Sequence, residues 1–68
     1  MTSAIRVNGR AENVTAATVA ELLHARGING PRGVAVAVNG AVVPSRRWSE
    51  TALAPGDDIE IVRPFGGG

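Results

Sequence analysis

Apolar positions recur with period two near both ends of the chain, and with a helical period once between them. Ala4-Ile5-Arg6-Val7 alternates apolar and polar, the pattern of a half-buried strand with Ile5 and Val7 inward. Asn8-Gly9 comes next, the preferred pair for a two-residue type I′ hairpin turn. Arg10 to Val14 is then expected to return antiparallel as a short, fairly polar edge strand. At this level the Asn-Gly pair is turn punctuation and nothing more. Thr18-Val19-Ala20-Glu21 has the capping-box form, a hydroxyl followed three residues on by an acid. Val19, Leu22 and Leu23 stand at helical spacing, and Gly27 suits the left-handed position that ends a helix. The spacing predicts a helix over residues 19–26, too short to persist without packing on a sheet.

A breaker-rich loop, Ile28-Asn29-Gly30-Pro31-Arg32-Gly33, leads into the uninterrupted run Val34-Ala35-Val36-Ala37-Val38. This run fits a central strand, with its valines toward the helix and its alanines on the other face, where small side chains leave room for a partner. Asn39-Gly40 repeats the hairpin signal, and Ala41-Val42-Val43 returns until Pro44 ends it. Ser45 to Glu50 reads as a solvated loop whose Trp48 folds back to close the core while Arg46 and Arg47 stay in water. Ala54-Pro55-Gly56-Asp57 places proline and glycine as in a type II turn, and Asp58 to Val62 is the last strand, with Ile59 and Ile61 on one face.

One helix among these strands covers a single sheet face. With the first and last strands side by side in the middle, the expectation is an α+β fold of the β-grasp, ubiquitin-like kind. It has a mixed sheet of four to five strands, one helix packed on one face, and a flexible C-terminal glycine tail. The domain is expected to span residues 1–63 and the tail residues 64–68. The uncovered face is expected to serve docking.

Composition narrows the chemistry. At 68 residues the chain has room for one domain of modest stability. It has no cysteine and one histidine, His24, which leaves no thiolate nucleophile and no cysteine- or histidine-cluster metal site. His24 falls off the apolar stripe and is expected at the surface. Seven basic residues, all arginine, face six carboxylates. A net charge of +1 does not call for nucleic acid, and two adjacent arginines supply only a weak phosphate attraction. No apolar run is long enough to cross a bilayer, and the first residues lack the charged-then-apolar layout of a signal peptide. A cytoplasmic protein without membrane or nucleic-acid partners is expected.

The remaining chemistry lies in Pro64-Phe65-Gly66-Gly67-Gly68. Pro64 sets its own φ and favours extended backbone at Arg63, so the tail is directed away from the last strand. Five residues reach at most about 16–18 Å, enough to enter a deep, narrow active site. Glycines leave the α-carboxylate, ionised at neutral pH, as the least hindered functional group. On composition alone a glycine tail also fits a linker remnant.

The ordered set Ile5-Arg6-Val7-Asn8-Gly9, Thr18-Val19-Ala20-Glu21-Leu22-Leu23, Val34-Ala35-Val36-Ala37-Val38-Asn39-Gly40, Val42-Val43-Pro44, Trp48, Leu53, Gly56-Asp57, Ile59-Glu60-Ile61-Val62 and Gly67-Gly68 resembles the ThiS-type sulfur carriers of thiamin biosynthesis. The resemblance covers nearly the whole chain. It implies that the Gly68 carboxylate is adenylated by an ATP-dependent, ThiF-like enzyme and converted to a thiocarboxylate, with sulfur coming from a sulfur-donor protein. The sulfur then passes to a ThiG-like thiazole synthase. Phe65, Gly66 and Gly67 would enter the partner's active site. The chain would be a co-substrate and not an enzyme, with no cofactor of its own, since ATP belongs to the partner.

Three other readings compete. Pro64-Phe65 before the glycines is similar to tails of the molybdopterin synthase small subunit. The fold also accommodates a ubiquitin-like protein modifier. Arg32, Arg46 and Arg47 are the basis for an RNA-binding β-grasp module.

Overall fold

Two Asn-Gly pairs turn the chain as their chemistry requires. Asn8 and Gly9 have φ of 51° and 82°, and Asn39 and Gly40 have φ of 52° and 85°. Both central positions are therefore left-handed, the condition for a type I′ hairpin. The computed structural model describes residues 2–63. Within them the order is β1 (Ser3–Val7), β2 (Arg10–Val14), α1 (Val19–Ala25), β3 (Ala35–Val38), β4 (Ala41–Val42), a 3₁₀ helix (Ser45–Glu50) and β5 (Asp58–Val62).

The strands form one sheet in the order β2-β1-β5-β3-β4. β1 and β5 run parallel at its centre, with Arg6 opposite Asp58 and Val7 opposite Ile59. β3 runs antiparallel to β5, from Ala35 opposite Val62 to Val38 opposite Ile59. The β2 and β4 hairpin returns lie at the two edges, as the polar character of Arg10–Val14 leads one to expect. This is the β-grasp arrangement.

Period-two alternation decides what each strand buries. Ile5 and Val7 of β1, Val36 of β3, and Ile59 and Ile61 of β5 point to one face. There they meet Val19, Leu22 and Leu23 of α1 and Trp48 of the 3₁₀ helix, and together these residues are the core. The helix is fastened at both ends. The Thr18 hydroxyl accepts from the Glu21 N–H at 3.2 Å, and Glu21 Oε1 accepts from the Ala17 N–H at 2.8 Å. The carboxylate thus reaches one residue beyond the cap itself. At the other end Gly27, at φ 82°, donates to the His24 carbonyl and Ile28 donates to that of Leu23. These two bonds form a Schellman motif, with half-buried Ile28 packed against the core. The helix proper ends at Ala25, and Arg26 is its cap.

The stretch Ser45–Glu50 departs from the expected loop. It winds as a 3₁₀ helix after Pro44, whose carbonyl accepts from the Arg47 N–H at 2.8 Å. This turn carries Trp48 into the core, where its Nε1–H donates to the Val43 carbonyl at 2.9 Å. The indole is thereby buried with its polar edge satisfied. The return strand is also shorter than Ala41 to Val43, since β4 is Ala41–Val42. The turn at Ala54–Asp57 forms as expected, with Gly56 at φ 89° and the Asp57 N–H donating to the Ala54 carbonyl.

Candidate functional site

The residues expected to carry the chemistry, Phe65, Gly66, Gly67 and Gly68, lie with Pro64 outside the described residues. What the structure describes is the support from which they extend. β5 is the third of five strands, so both of its edges are paired. Its inward residues, Ile59 and Ile61, are buried under α1, and its outward residues Asp58, Glu60 and Val62 are exposed. Burial below and pairing on both sides hold β5 within the sheet. Arg63, the last described residue, comes directly after it and is exposed.

Two asparagine side chains add to this hold. Past Val7 the backbone of β1 turns away into the hairpin, yet its hydrogen bonding to β5 continues. The Asn8 N–H donates to the Ile59 carbonyl at 2.9 Å. Its side chain then takes over, with Oδ1 accepting from the Ile61 N–H at 2.8 Å and Nδ2 donating to the Ile61 carbonyl at 3.2 Å. Asn39, in the second hairpin, holds the beginning of β5. Its N–H donates to the Asp58 carbonyl at 2.7 Å, and its Oδ1 accepts from the Asp58 N–H at 2.9 Å. Its Nδ2 donates to Asp57 Oδ1 at 3.0 Å. The sequence contained a trace of this pair in its two copies of Val-Asn-Gly, but turn chemistry alone accounts for an asparagine at each position.

The face of the sheet away from α1 is open. Register aligns Glu60, Ala37 and Val42 in one row and Val62 with Ala35 in the next. Val42 is 77% exposed and Val62 64%. These two valines flank the small Ala35 and Ala37, which lie, as expected, on the face away from the helix. Arg6, Asp58 and Glu60 make the β1 side of this face charged.

Elsewhere the described residues offer little chemistry. His24 is exposed at the C-terminal end of α1. Arg46 and Arg47 line a shallow depression of about 290 Å³ with Val42, Val43, Pro44 and Thr51. Arg47 lies 3.8 Å from Glu50, and the neighbouring Trp48 ring is committed to the core, so it presents no face for a base to stack on. Among the described residues no group of three His, Asp or Glu side chains gathers to hold a metal ion. No buried side-chain polar atom in this part of the chain lacks a hydrogen-bond partner, and no helix in it is long and apolar enough to cross a membrane.

Comparison with known proteins covers nearly the whole chain. Among curated proteins none matches the chain. Two solved structures are similar over most or all of its length. The crystal structure of the thiamine biosynthesis protein (ThiS) from Geobacter metallireducens is 32% identical, with a TM-score of 0.76 over 100% of both chains. The solution structure of a thiamine biosynthesis protein from Geobacter metallireducens is also 32% identical, with a TM-score of 0.76 over 96% of this chain and 87% of that one. The sequence model of the ThiS family matches residues 5–68, from the middle of β1 through the last glycine. With the family pattern running through both central strands and the tail, the chain belongs to the ThiS family of small sulfur carriers.

Proposed function

We propose that this chain carries sulfur as a thiocarboxylate on Gly68 for thiazole formation in thiamin biosynthesis. The observation that supports this most is the family match, which extends through Gly66, Gly67 and Gly68. A carboxylate is a poor electrophile. Attack of a Gly68 carboxylate oxygen on the α-phosphorus of ATP, in the active site of an adenylating enzyme, expels pyrophosphate and gives an acyl-adenylate. Hydrosulfide supplied by the donor then adds to the carbonyl and loses its proton, and AMP leaves with the electron pair of the broken C–O bond, which leaves the thiocarboxylate. The sulfur passes to the substrate of a thiazole synthase as the acyl carbon–sulfur bond breaks, and an oxygen from water or from that substrate takes its place, which returns Gly68 to a carboxylate. The chain supplies no catalytic group in this sequence. It contributes the acyl group and its delivery.

The tail's reach of at most about 16–18 Å requires the adenylating enzyme to lie against the end of the sheet from which the tail extends. In this reading Phe65, Gly66 and Gly67 thread the enzyme's channel. The enzyme covers the open face beside them at Val42 and Val62, where small alanines allow close approach.

The test is the mass of the C-terminal peptide after incubation with an adenylating enzyme, ATP and a sulfur source. Exchange of one oxygen for sulfur within residues 64–68 is the expected result, and it should vanish when Gly68 is deleted. An unchanged tail, with the enzyme active on another carrier, would overturn the proposal. Complementation separates the two sulfur-carrying branches. Growth should return to a strain lacking its thiazole-branch carrier, and rescue confined to a strain lacking the molybdopterin synthase small subunit would assign the sulfur to that branch.

A further inference from the structure

From the Asn8 geometry we infer that this side chain is a positioning residue for the C-terminal tail, a role that rests on the function proposed above. β1 pairs with β5 only through Arg6 opposite Asp58 and Val7 opposite Ile59. The left-handed φ of 51° at Asn8 then takes the backbone away from the sheet, two residues before β5 itself reaches Ile61. The next hydrogen bonds a parallel neighbour would make to β5 are one acceptor for the Ile61 N–H and one donor for its carbonyl. The Asn8 carboxamide provides both, at 2.8 Å and 3.2 Å. It behaves as one further peptide unit of β1, contributed by a side chain across 53 residues of sequence.

The consequence falls on the tail. Without this carboxamide, the Ile61 N–H and carbonyl would lose both partners, and this end of β5 would be held only on its β3 edge, through Glu60 and Val62 opposite Ala37 and Ala35. Only Val62 and Arg63 separate Ile61 from Pro64. A strand end held on both edges gives the tail a fixed point of departure and a fixed direction. A strand end held on one edge lets both vary. For a reacting group that must arrive within reach of a partner's catalytic atoms, that spread lowers the fraction of productive encounters.

The two Val-Asn-Gly turns supply a matched control. Glycine adopts left-handed φ without strain, so Asn8→Gly and Asn39→Gly each keep the hairpin while removing one side-chain clamp. Asn8→Gly frees the end of β5 beside the tail. Asn39→Gly frees the start of β5, where the side chain holds Asp58. Amide hydrogen exchange is read first, on the chain alone. Asn8→Gly should speed exchange of the Ile61 N–H about tenfold, and Asn39→Gly should leave that amide unchanged. Adenylation kinetics are then read with the partner enzyme at matched fractions folded. Asn8→Gly should lower kcat/KM about tenfold, chiefly through KM, while Asn39→Gly stays near wild type.

Unaltered protection at Ile61 in Asn8→Gly would overturn the clamp. Equal kinetics for the two variants, with wild type active, would reduce Asn8 to a general structural residue and overturn the inference. A wild-type chain that the enzyme leaves untouched would instead overturn the proposed function, while the exchange result still reports on the clamp.

Discussion

On the helix side of the sheet, Ile5, Val7, Val36, Ile59 and Ile61 are sealed under α1 and Trp48. On the other side the alternate residues of the same strands, among them Arg6, Ala35, Glu60 and Val62, meet solvent. The period of two lets one strand serve two purposes with adjacent residues. In β5 the isoleucines anchor the sheet, while Asp58, Glu60 and Val62 present a surface at the root of the tail. In the proposed function, stability and partner recognition would be coded in alternate positions and should respond separately to substitution.

Substitutions that separate the two faces can be ranked by expected effect. Ile59→Ala, at the most buried position of β5, should destabilise by about 2–5 kcal/mol in urea unfolding, enough to populate unfolded chain in a domain this small. Val62→Arg, three residues away on the opposite face, should shift stability by less than about 1 kcal/mol. The same substitution should raise KM for adenylation about tenfold by placing a charge in the apolar contact. A large loss of stability from Val62→Arg would merge the two faces into one. Thr18→Ala removes the helix cap on the sealed side and should cost about 1 kcal/mol, read as a lower thermal midpoint without loss of adenylation. Smallest is Arg26→Ala. The ion pair between Arg26 and Glu12, at 3.0 Å, is partly exposed and should contribute less than about 0.5 kcal/mol, a difference that added salt erases.

Much of the fold was legible because local chemistry and global fold agree. Ile5 and Val7 alternate and are followed by a turn pair that only one hairpin type favours. Val19, Leu22 and Leu23 share a helical stripe between a cap and a glycine stop. The 3₁₀ helix at Ser45–Glu50 was not legible, because its one apolar residue, Trp48, sets no period, and the surrounding serines and arginines suit a loop equally well. The short β4 likewise depends on where Pro44 and Trp48 draw the chain. The role of Asn8 was hidden for a different reason. A turn explains an asparagine there completely, and the group it holds lies 53 residues later. Long-range hydrogen bonds from side chains leave no local period in a sequence.

The parallel pairing of β1 with β5 also governs how the chain folds. Joining segments some fifty residues apart costs loop-closure entropy of about 3–4 kcal/mol before any contact compensates for it. The two hairpins are local and form quickly, but each is marginal alone. The sheet becomes continuous only when β5, the strand that bears the tail, enters between β1 and β3. A collapsed intermediate with both hairpins formed would still carry its tail on a loose strand. Placing β5 both completes the sheet and sets the point from which the tail departs.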